Sequence, residues 1–376
     1  MLKRALKSFF PRVFLKSVFS AYNKVKIATI DKILFPEYPV RLDQFLIYRK
    51  GYPFKENNIS VEDITDDNVR SYMRNWFDWT QEEFILCFNK PCYIEPDQGW
   101  AIVSTNRLLY YSLGISRTWF MPKPSLLKFW NRKNVVSVPI AISLRDTGEE
   151  NYFHFYNDVL TKLFFLRDNL IEVSKLPIII SKKLWDKPYF QYYLQHSRPF
   201  QSLHWLVQDK EYMWCQSAIF CKALTHRKDL LDQVFSPFYS KSDLSKRVFI
   251  TRNKGYLRHI ENSDEVEKLF VQYGFEVVDS GSLSLPQQMD AFSNASVIAG
   301  IHGAGLVNLA FRNGSCKVFE IFSYPEDGYL PFHYILLAKM KGFFYQAIIG
   351  EKNERRFAEG FYVDPVRLES SLKKWI

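Results

Sequence analysis

The sequence predicts an α/β protein made of two Rossmann-like domains, and three observations support this prediction. The chain has 376 residues, enough for about two or three domains of ordinary size, and 47% of them are hydrophobic, as in a globular protein. From residue 135 onward, short apolar runs that indicate buried strands alternate with amphipathic stretches that indicate helices. Strands and helices in this order form a parallel, doubly wound sheet with right-handed crossovers.

The first domain is predicted over residues 131–238, with residues 1–130 as an N-terminal extension or an accessory part of it. Residues 1–130 carry aromatic clusters but no regular alternation. A polar linker near residues 236–243 is expected to close the domain. The predicted strands are 135–144, 176–180 and 203–207, and the predicted helices are 152–170, 184–195 and 227–235.

The second domain is predicted over residues 241–350. Asn262 and Glu265 have the spacing of a capping box, as have Ser284 and Gln287, so a helix is expected to begin at each pair. Asp364 then caps a final helix at 366–375, within a tail (351–376) that we expect to pack back on the first domain. The predicted strands are 247–250, 276–278, 297–301, 317–321 and 343–349, with a further helix at 334–341.

The apolar strand 297–301 ends at His302, which is flanked by Gly300, Gly303 and Gly305. Glycines at a strand end let the backbone approach a ligand closely, and a following helix offers unpaired N–H groups. A Rossmann-like sheet holds a diphosphate at this edge. The spacing is Gly-x-x-Gly-x-Gly, not the dinucleotide fingerprint Gly-x-Gly-x-x-Gly, and an ordinary strand–turn–helix junction explains it equally well.

Arg252 follows strand 247–250 and is expected at the same sheet edge as His302. A guanidinium there can bind phosphate oxygens through two hydrogen bonds and offset the charge of a leaving group. Arg258 is compatible with the same role and with an ordinary surface position. Glu320 enters the next apolar strand, where a carboxylate needs partners. Ribose hydroxyls and neighbouring core groups are both suitable partners.

His154 and Asp158 lie four residues apart in the predicted helix 152–170, and therefore on one of its faces. Together they could act as a general base that deprotonates an acceptor hydroxyl. A structural His–Asp hydrogen bond inside an aromatic helix is the more common outcome of this spacing. Both interpretations stay open at this point.

The composition limits the partners. A net charge of +10 favours an anionic partner, but no element combines a basic stripe with interleaved aromatics, so nucleic acid is not expected. The five cysteines form no CxxC pair and no zinc pattern, which favours a reducing compartment. Because the chain has no Asp-x-Asp triplet, no P-loop and no His-Glu-x-x-His motif, we expect neither a metal nor a cofactor.

The first 20 residues alternate basic and apolar side chains and lack the uninterrupted apolar core of a signal peptide. No run approaches the roughly 18 apolar residues of a transmembrane helix. The alternation suits a helix that lies on an anionic bilayer, and equally a helix packed on the domain.

Together, these motifs resemble glycosyltransferase family 61 over about residues 151–321. The residues that carry the resemblance are Asn151-Tyr-Phe-His154-x-x-x-Asp158, Ile250-Thr-Arg252, Arg258 with Asn262, Gly274-Phe-Glu, Gln287-Gln288, His302-Gly-Ala-Gly-Leu-x-Asn308, Phe311 and Glu320-Ile321. The chain departs from the family pattern at Thr251, where serine is frequent, and at Phe155-Tyr156, where a tryptophan often follows the histidine.

The resemblance implies a GT-B-like fold, with two Rossmann-like domains facing each other across a cleft. It implies inverting, metal-independent transfer of a sugar from a nucleotide-sugar donor to a hydroxyl of a glycan or lipid-linked glycan. The resemblance assigns binding of the donor to Arg252, Arg258, Gly303, Ala304, Gly305 and Asn308, and binding of its ribose to Glu320. His154 and Asp158 face the acceptor. We expect Asp158 to be the base, with the reverse roles open, and His302 to donate to the leaving group.

Since the eukaryotic membrane anchor of the family is missing, the resemblance favours a bacterial capsular or exopolysaccharide-type enzyme. It would be cytoplasmic and peripheral at the inner face of the cell membrane, held there by residues 1–20. The alternative is a non-catalytic glycan- or nucleotide-binding scaffold protein of a polysaccharide assembly system. The presence of both donor-side and acceptor-side residues favours the enzyme.

Overall fold

The computed structural model describes residues 31–113, 121–239, 246–252, 258–325, 327–353 and 360–376. Residues 1–20, expected to form a membrane-surface helix, and residues 240–243, the second half of the expected linker, lie outside the described residues. The chain divides into two compact units. The N-terminal unit contains the described parts of residues 20–51 and 80–230, and the C-terminal unit those of residues 52–79 and 231–376.

The secondary structure of the described residues is as follows. The strands are β1 (Phe45–Gly51), β2 (Gln81–Phe88), β3 (Cys92–Ile94), β4 (Ala101–Ile102), β5 (Leu108–Leu109), β6 (Val135–Ser143), β7 (Ile178–Ser181), β8 (Trp205–Gln208), β9 (Tyr212–Lys222), β10 (Lys246–Ile250), β11 (Glu276–Val278), β12 (Ala295–Ile301), β13 (Lys317–Phe322) and β14 (Phe344–Ile349). The α-helices are α1 (Lys32–Leu34), α2 (Pro53–Glu56), α3 (Asp67–Arg74), α4 (Leu126–Trp130), α5 (Tyr152–His154, continued by a π-helical stretch Phe155–Leu160 and by Thr161–Asp168), α6 (Lys182–Trp185), α7 (Pro188–His196), α8 (Arg198–Gln201), α9 (Lys228–Phe235), α10 (Ser263–Gln272), α11 (Leu285–Ser293), α12 (His333–Met340) and α13 (Pro365–Trp375). Short 3₁₀ helices lie at Leu42–Gln44, Tyr110–Leu113, Val173–Lys175, Ser236–Phe238 and Ala304–Phe311.

The N-terminal unit is built on a mixed sheet of nine described strands. The strands β9, β6, β7 and β8 are parallel neighbours in that order, which confirms the parallel arrangement predicted for residues 135–207. On the other side of β9, β2 and β3 pair antiparallel with it, and β1, β4 and β5 extend the sheet. The sequence did not predict β9, because the exposed Gln216 and the half-exposed Ser217 interrupt its apolar run.

Helix α5 follows β6 and carries the predicted His–Asp pair. Its start is fixed by Asn151, whose side chain accepts a hydrogen bond from the backbone N–H of Phe153. The π-helical stretch was not predicted. In it, Phe155 and Tyr156 are fully buried and their rings contact Tyr193. Such a stretch inserts an extra residue into a helical turn and occurs frequently at functional sites.

The C-terminal unit contains a five-stranded parallel sheet in the order β11-β10-β12-β13-β14. This confirms the parallel sheet predicted for residues 247–349, and the strand bounds agree within about two residues. The chain moves from β10 outward to β11 and then returns to β12 on the other side of β10. A ligand of a doubly wound sheet binds where the strand order reverses in this way, outside the carboxyl ends of the two strands.

Residues 52–79, which the sequence left unassigned, pack on the C-terminal unit. The indole N–H of Trp76 donates to the carbonyl of Leu330 (2.7 Å), and the Trp76 ring contacts Phe332. The backbone N–H of Thr65 donates to Oε1 of Gln346 on β14 (2.8 Å). This segment is therefore an insertion between β1 and β2 that completes the other unit.

The prediction that the final helix packs on the first domain is wrong. Leu368 and Leu372 of α13 are fully buried in one apolar cluster with Phe249 of β10 and Phe270 of α10, within the C-terminal unit. The cap itself is present, because Asp364 accepts a hydrogen bond from the N–H of Val366. The helix packs back on the sheet that precedes it, where its apolar face is buried in this cluster.

Of the two expected capping boxes, one is present and one is not. Ser284 and Gln287 form the box at the start of α11. The Asn262 side chain makes no cap hydrogen bond at α10. It instead donates to the carbonyl of Val363 and accepts from the N–H of Val363, which ties the segment before α13 to α10. Among the described residues, none of the helices combines the length and apolarity needed to cross a membrane.

Candidate functional site

Arg252 and Gly303 meet at the point where the strand order of the C-terminal sheet reverses. Arg252 lies just beyond β10, and its guanidinium donates to the carbonyl of His302, just beyond β12 (3.3 Å). A Cβ added to Gly303 would lie 1.7 Å from Nη2 of Arg252. Only a residue without a side chain leaves the guanidinium this position. The sequence predicted that Arg252 and the glycine loop share one edge, and the structure brings them together.

His302 is held by a buried carboxylate. Its Nδ1 lies 2.5 Å from Oε1 of Glu320 on β13, and Oε2 of Glu320 accepts a hydrogen bond of 2.5 Å from the hydroxyl of Tyr345 on β14. Glu320 is 0% exposed. Because both of its oxygens are occupied inside the core, Glu320 is a partner of His302, which corrects the expectation that it binds a ribose.

Burial controls the charge of this pair. Burial raises the pKa of Glu320 to about 8, against smaller opposing effects of the Tyr345 hydrogen bond and of Arg258. Burial, together with the positive charges of Arg258 and Arg252, holds the pKa of His302 well below its usual range. Both groups are therefore uncharged at neutral pH.

The remaining donor-side candidates divide into two groups. Ala304 and Gly305 are half-buried and open the 3₁₀ helix that follows the glycine loop. Arg258 is exposed and acts on His302 and Glu320 through its charge. Asn308 is fully buried, and its amide donates to Oε1 of Gln288 (2.9 Å), so it joins the 3₁₀ helix to α11. That position does not favour the donor contact expected for Asn308.

The pair on α5 is present in the N-terminal unit. Nδ1 of His154 lies 2.6 Å from Oδ2 of Asp158. The other carboxylate oxygen accepts a hydrogen bond from the Asn157 amide (2.9 Å), and Asn157 in turn accepts one from the backbone N–H of His226. The His154 side chain is 40% exposed and that of Asp158 26% exposed. Nε2 of His154 bonds to no atom of the residues that the structure describes.

Two buried lysines and a second aspartate lie near this pair, and none of the three was predicted from the sequence. Lys162, one turn after Asp158, donates to Asp146 beyond the end of β6 (2.9 Å). Burial raises the pKa of Asp146 to about 6 and lowers that of Lys222 to about 8. Burial also opposes the charged form of His154, but the hydrogen bond and charge of Asp158 outweigh it, so the pKa of His154 is raised.

Sequence reasoning also missed Asn157 and Tyr345, which complete the two His–carboxylate pairs. Asn157 lies next to Asp158 in the chain, and a polar residue on the buried side of an aromatic helix is a signal that could have identified it. Tyr345 carries no such signal, because a tyrosine in an apolar strand is common. In the part of the chain that the structure describes, no three His, Cys, Asp or Glu side chains form a group able to hold a metal ion.

The comparison with known protein families concerns a region that contains the pair of His154 and Asp158 and most of the site around Arg252. Residues 152–319 match the family model described as Glycosyltransferase 61. The match includes His154, Asp158, Arg252 and the glycine loop, and it ends one residue before Glu320. No curated protein matches the chain.

Proposed function

Because residues 152–319 belong to glycosyltransferase family 61, we propose that the protein is an inverting glycosyltransferase that transfers a sugar from a nucleotide-sugar donor to a hydroxyl of a glycan or lipid-linked glycan. Family membership supports transferase activity, and the two α/β units suit the pair of domains of a GT-B enzyme. The proposal assigns the donor to the C-terminal unit and the acceptor to the N-terminal unit. Surface polysaccharide synthesis is the proposed context.

The observation that carries the donor assignment is the position of the Arg252 guanidinium over Gly303 at the reversal point of the sheet. A diphosphate bound there meets a fixed cation, the N–H groups at the start of the 3₁₀ helix and the His302 ring. Cations and preorganised N–H donors at a developing negative charge lower the barrier to its departure. Arg258 adds positive charge at longer range.

For the acceptor, the geometry favours His154 as the base, with Asp158 as the carboxylate that orients it. Both oxygens of Asp158 already accept hydrogen bonds, whereas Nε2 of His154 has no described partner on a side chain that is 40% exposed. This assignment takes the reverse of the roles first expected from the sequence. Asp158 then stabilises the imidazolium that forms, as the carboxylate of a catalytic triad does.

The proposed reaction is a single displacement. Nε2 of His154 takes the proton of the acceptor hydroxyl while the hydroxyl oxygen forms a bond to the anomeric carbon. The bond from that carbon to the diphosphate breaks on the opposite face of the sugar. Its electron pair leaves with the diphosphate, whose charge Arg252 and the backbone N–H groups offset. The displacement inverts the anomeric configuration.

A donor screen tests this function. UDP-, GDP- and dTDP-sugars are each added to the full chain, and thermal unfolding and donor hydrolysis are measured. A donor present at about 100 times its dissociation constant should stabilise the folded protein by roughly 2.7 kcal/mol. Arg252→Ala should lose the stabilisation, whereas His154→Gln should keep it and lose donor hydrolysis, in which water takes the place of the acceptor hydroxyl. If no donor binds the folded wild-type protein, the proposal is wrong.

A peripheral position at the cytoplasmic face of the membrane is part of the same proposal and rests on the basic and apolar residues of 1–20. Vesicles of phosphatidylglycerol and phosphatidylcholine should bind the full chain in low salt and release it in high salt, since each lysine or arginine near such a surface contributes about 1 kcal/mol. Equal binding by a chain that begins at residue 21 would remove this part of the proposal.

A further inference from the structure

His302 lies between the buried carboxylate of Glu320 and the edge of the sheet at which β12 ends. Glu320 contacts Nδ1 on one side and the Tyr345 hydroxyl on the other, at 2.5 Å each. The imidazole stacks on Phe322 and contacts the ring of Tyr334. Nε2 bonds to no described residue, although the side chain is only 9% exposed. The ring is thus fixed, and one nitrogen remains for a ligand.

The number of protons that Glu320 and His302 hold together decides whether Nε2 of His302 donates or accepts a hydrogen bond. The Tyr345 hydroxyl donates to one carboxyl oxygen, so one proton is shared between the other oxygen and Nδ1 of His302. When that proton is present, Nε2 must also carry a proton, whether the shared one sits on oxygen or on Nδ1. When one proton is lost, the carboxylate requires N–H at Nδ1, and Nε2 becomes a bare acceptor.

We propose that Glu320 is a positioning residue that, while its carboxyl is protonated, keeps a proton on Nε2 of His302, so that this nitrogen donates a hydrogen bond to an oxygen of the donor diphosphate. Tyr345 donates to the other carboxyl oxygen and thereby directs the shared proton to the oxygen that faces His302. The identity of the ligand rests on the proposed function. The location of the proton does not depend on the proposed function, because the contacts inside the protein determine it.

The proposal predicts a loss of the donor form at alkaline pH. The charged and titratable groups that act on the pair are Arg252 after β10, Arg258, Tyr334 on α12 and Tyr345 on β14. Burial raises the pKa of Glu320 to about 8, so the pair loses its shared proton as the pH rises through that value. Above it, a bare Nε2 faces the phosphate oxygens and repels them.

Nitrogen-15 NMR of histidine-labelled protein measures the tautomer directly, with the His302 signal assigned by its absence in His302→Asn. Wild type should carry its ring proton on Nε2 at pH 6.5 and on Nδ1 at pH 9.5. In Glu320→Gln, the amide donates to Nδ1 at every pH, so Nε2–H should persist to pH 9.5. In Tyr345→Phe the change should move to higher pH, because the Tyr345 hydrogen bond lowers the pKa of Glu320.

The outcomes separate the inference from the proposed function. An Nδ1–H tautomer in wild type at pH 6.5, or no tautomer change up to pH 9.5, overturns the inference, and wild type alone decides this if a variant does not fold. Binding of UDP, GDP and inorganic pyrophosphate is then measured at pH 9. Glu320→Gln should bind about tenfold more tightly than wild type, as expected for one hydrogen bond to a charged group, and equal affinity rejects the ligand contact. If none of the three binds while the tautomers behave as expected, the donor site is wrong and the positioning role stands.

Discussion

The two units each contain a histidine whose Nδ1 is hydrogen bonded to a carboxylate, and the two pairs differ in their surroundings. The pair of His302 and Glu320 is enclosed by aromatic rings and faces cations, so burial leaves both groups uncharged. The pair of His154 and Asp158 is partly exposed and lies near two lysines and a second aspartate, and the pKa of His154 is raised.

The difference shows how an imidazole and a carboxyl group can serve opposite purposes in different surroundings. A carboxyl kept neutral by an apolar environment passes a proton toward its partner, and a solvated carboxylate attracts one. On this basis the first pair is suited to donate to a leaving group and the second to accept from a hydroxyl.

The largest effect is expected from removing the base. His154→Gln should reduce kcat for sugar transfer about 1,000-fold, within the range that general base catalysis contributes. Asp158→Asn should cost less, because Nε2 of His154 stays in place. His196→Gln, an exposed histidine of the same unit, is the matched control. A greater loss with Asp158→Asn than with His154→Gln would return the role of base to Asp158.

The next largest effect concerns the cation beside the buried pair. Arg252→Ala should lower kcat about 100-fold through the loss of charge stabilisation at the leaving group. Gly303→Ala should act in the same direction, because its methyl group would occupy the position of the guanidinium. Arg247→Ala removes an arginine at the other end of β10, where it donates to the carbonyl of Tyr273. We expect kinetics close to wild type for that control, and steady-state assays at saturating acceptor measure all three.

The pH dependence of the unfolding free energy tests whether Glu320 is protonated. Its pKa is raised from the ordinary 4.5 to about 8, so its contribution to stability is complete below 4.5 and is lost as the pH rises through 8. Between pH 6 and 7, wild type should lose about 1.4 kcal/mol of unfolding free energy relative to Glu320→Gln, which does not titrate. Urea unfolding at each pH measures the difference. A difference that does not change between pH 5 and 8 would show that Glu320 is ionised throughout.

The smallest effect is a shift in the pH profile of the reaction. His154 must be deprotonated to act as a base, and its pKa is raised, so kcat/KM should increase with pH through a value above 6.5. Asp158→Asn removes the hydrogen bond and charge that raise this pKa, so the rising limb should move to lower pH. Chelation by EDTA should leave both profiles unchanged. If the rising limb of the kcat/KM profile does not shift in Asp158→Asn, the limb reports the titration of a group other than His154.

Much of the C-terminal unit could be predicted because its signals are local. Short apolar runs between capping residues located its strands within about two residues, and parallel strands bring their ends to one edge. Arg252 and the glycine loop were found together for that reason. The alternation in residues 135–207 similarly located β6, β7 and β8.

Other parts could not be predicted, because they depend on pairings between distant residues. The strands β1 to β5 are short or partly polar, and antiparallel pairing with β9 stabilises them. The partner of Glu320 could not be chosen from the sequence, since a buried carboxylate accepts ribose hydroxyls, a histidine or a tyrosine equally. The helix pattern predicted the contact between His154 and Asp158 but not the amide of Asn157, because adjacent side chains do not face each other in a regular α-helix and the π-helical stretch departs from that geometry.

The insertion at residues 52–79 has a consequence for how the protein is made. The chain passes between the two units at residues 51–52, 79–80 and 230–231, so the C-terminal unit is discontinuous in sequence. Asp66 accepts a hydrogen bond from Arg367, which follows it by 301 residues in the chain. Trp76 donates one to the carbonyl of Leu330, which follows it by 254 residues.

At a synthesis rate of about 5 to 20 residues per second, the Asp66 segment remains without its final partner for roughly 15 to 60 seconds. During that time Trp76, Phe77 and Trp79 are available to chaperones or to other nascent chains. A fragment that begins at residue 231 would lack the segment altogether and leave the surface around Phe332 and Gln346 bare. Expression of the C-terminal half alone should therefore give insoluble protein, and co-expression of residues 52–79 as a separate peptide should restore its solubility.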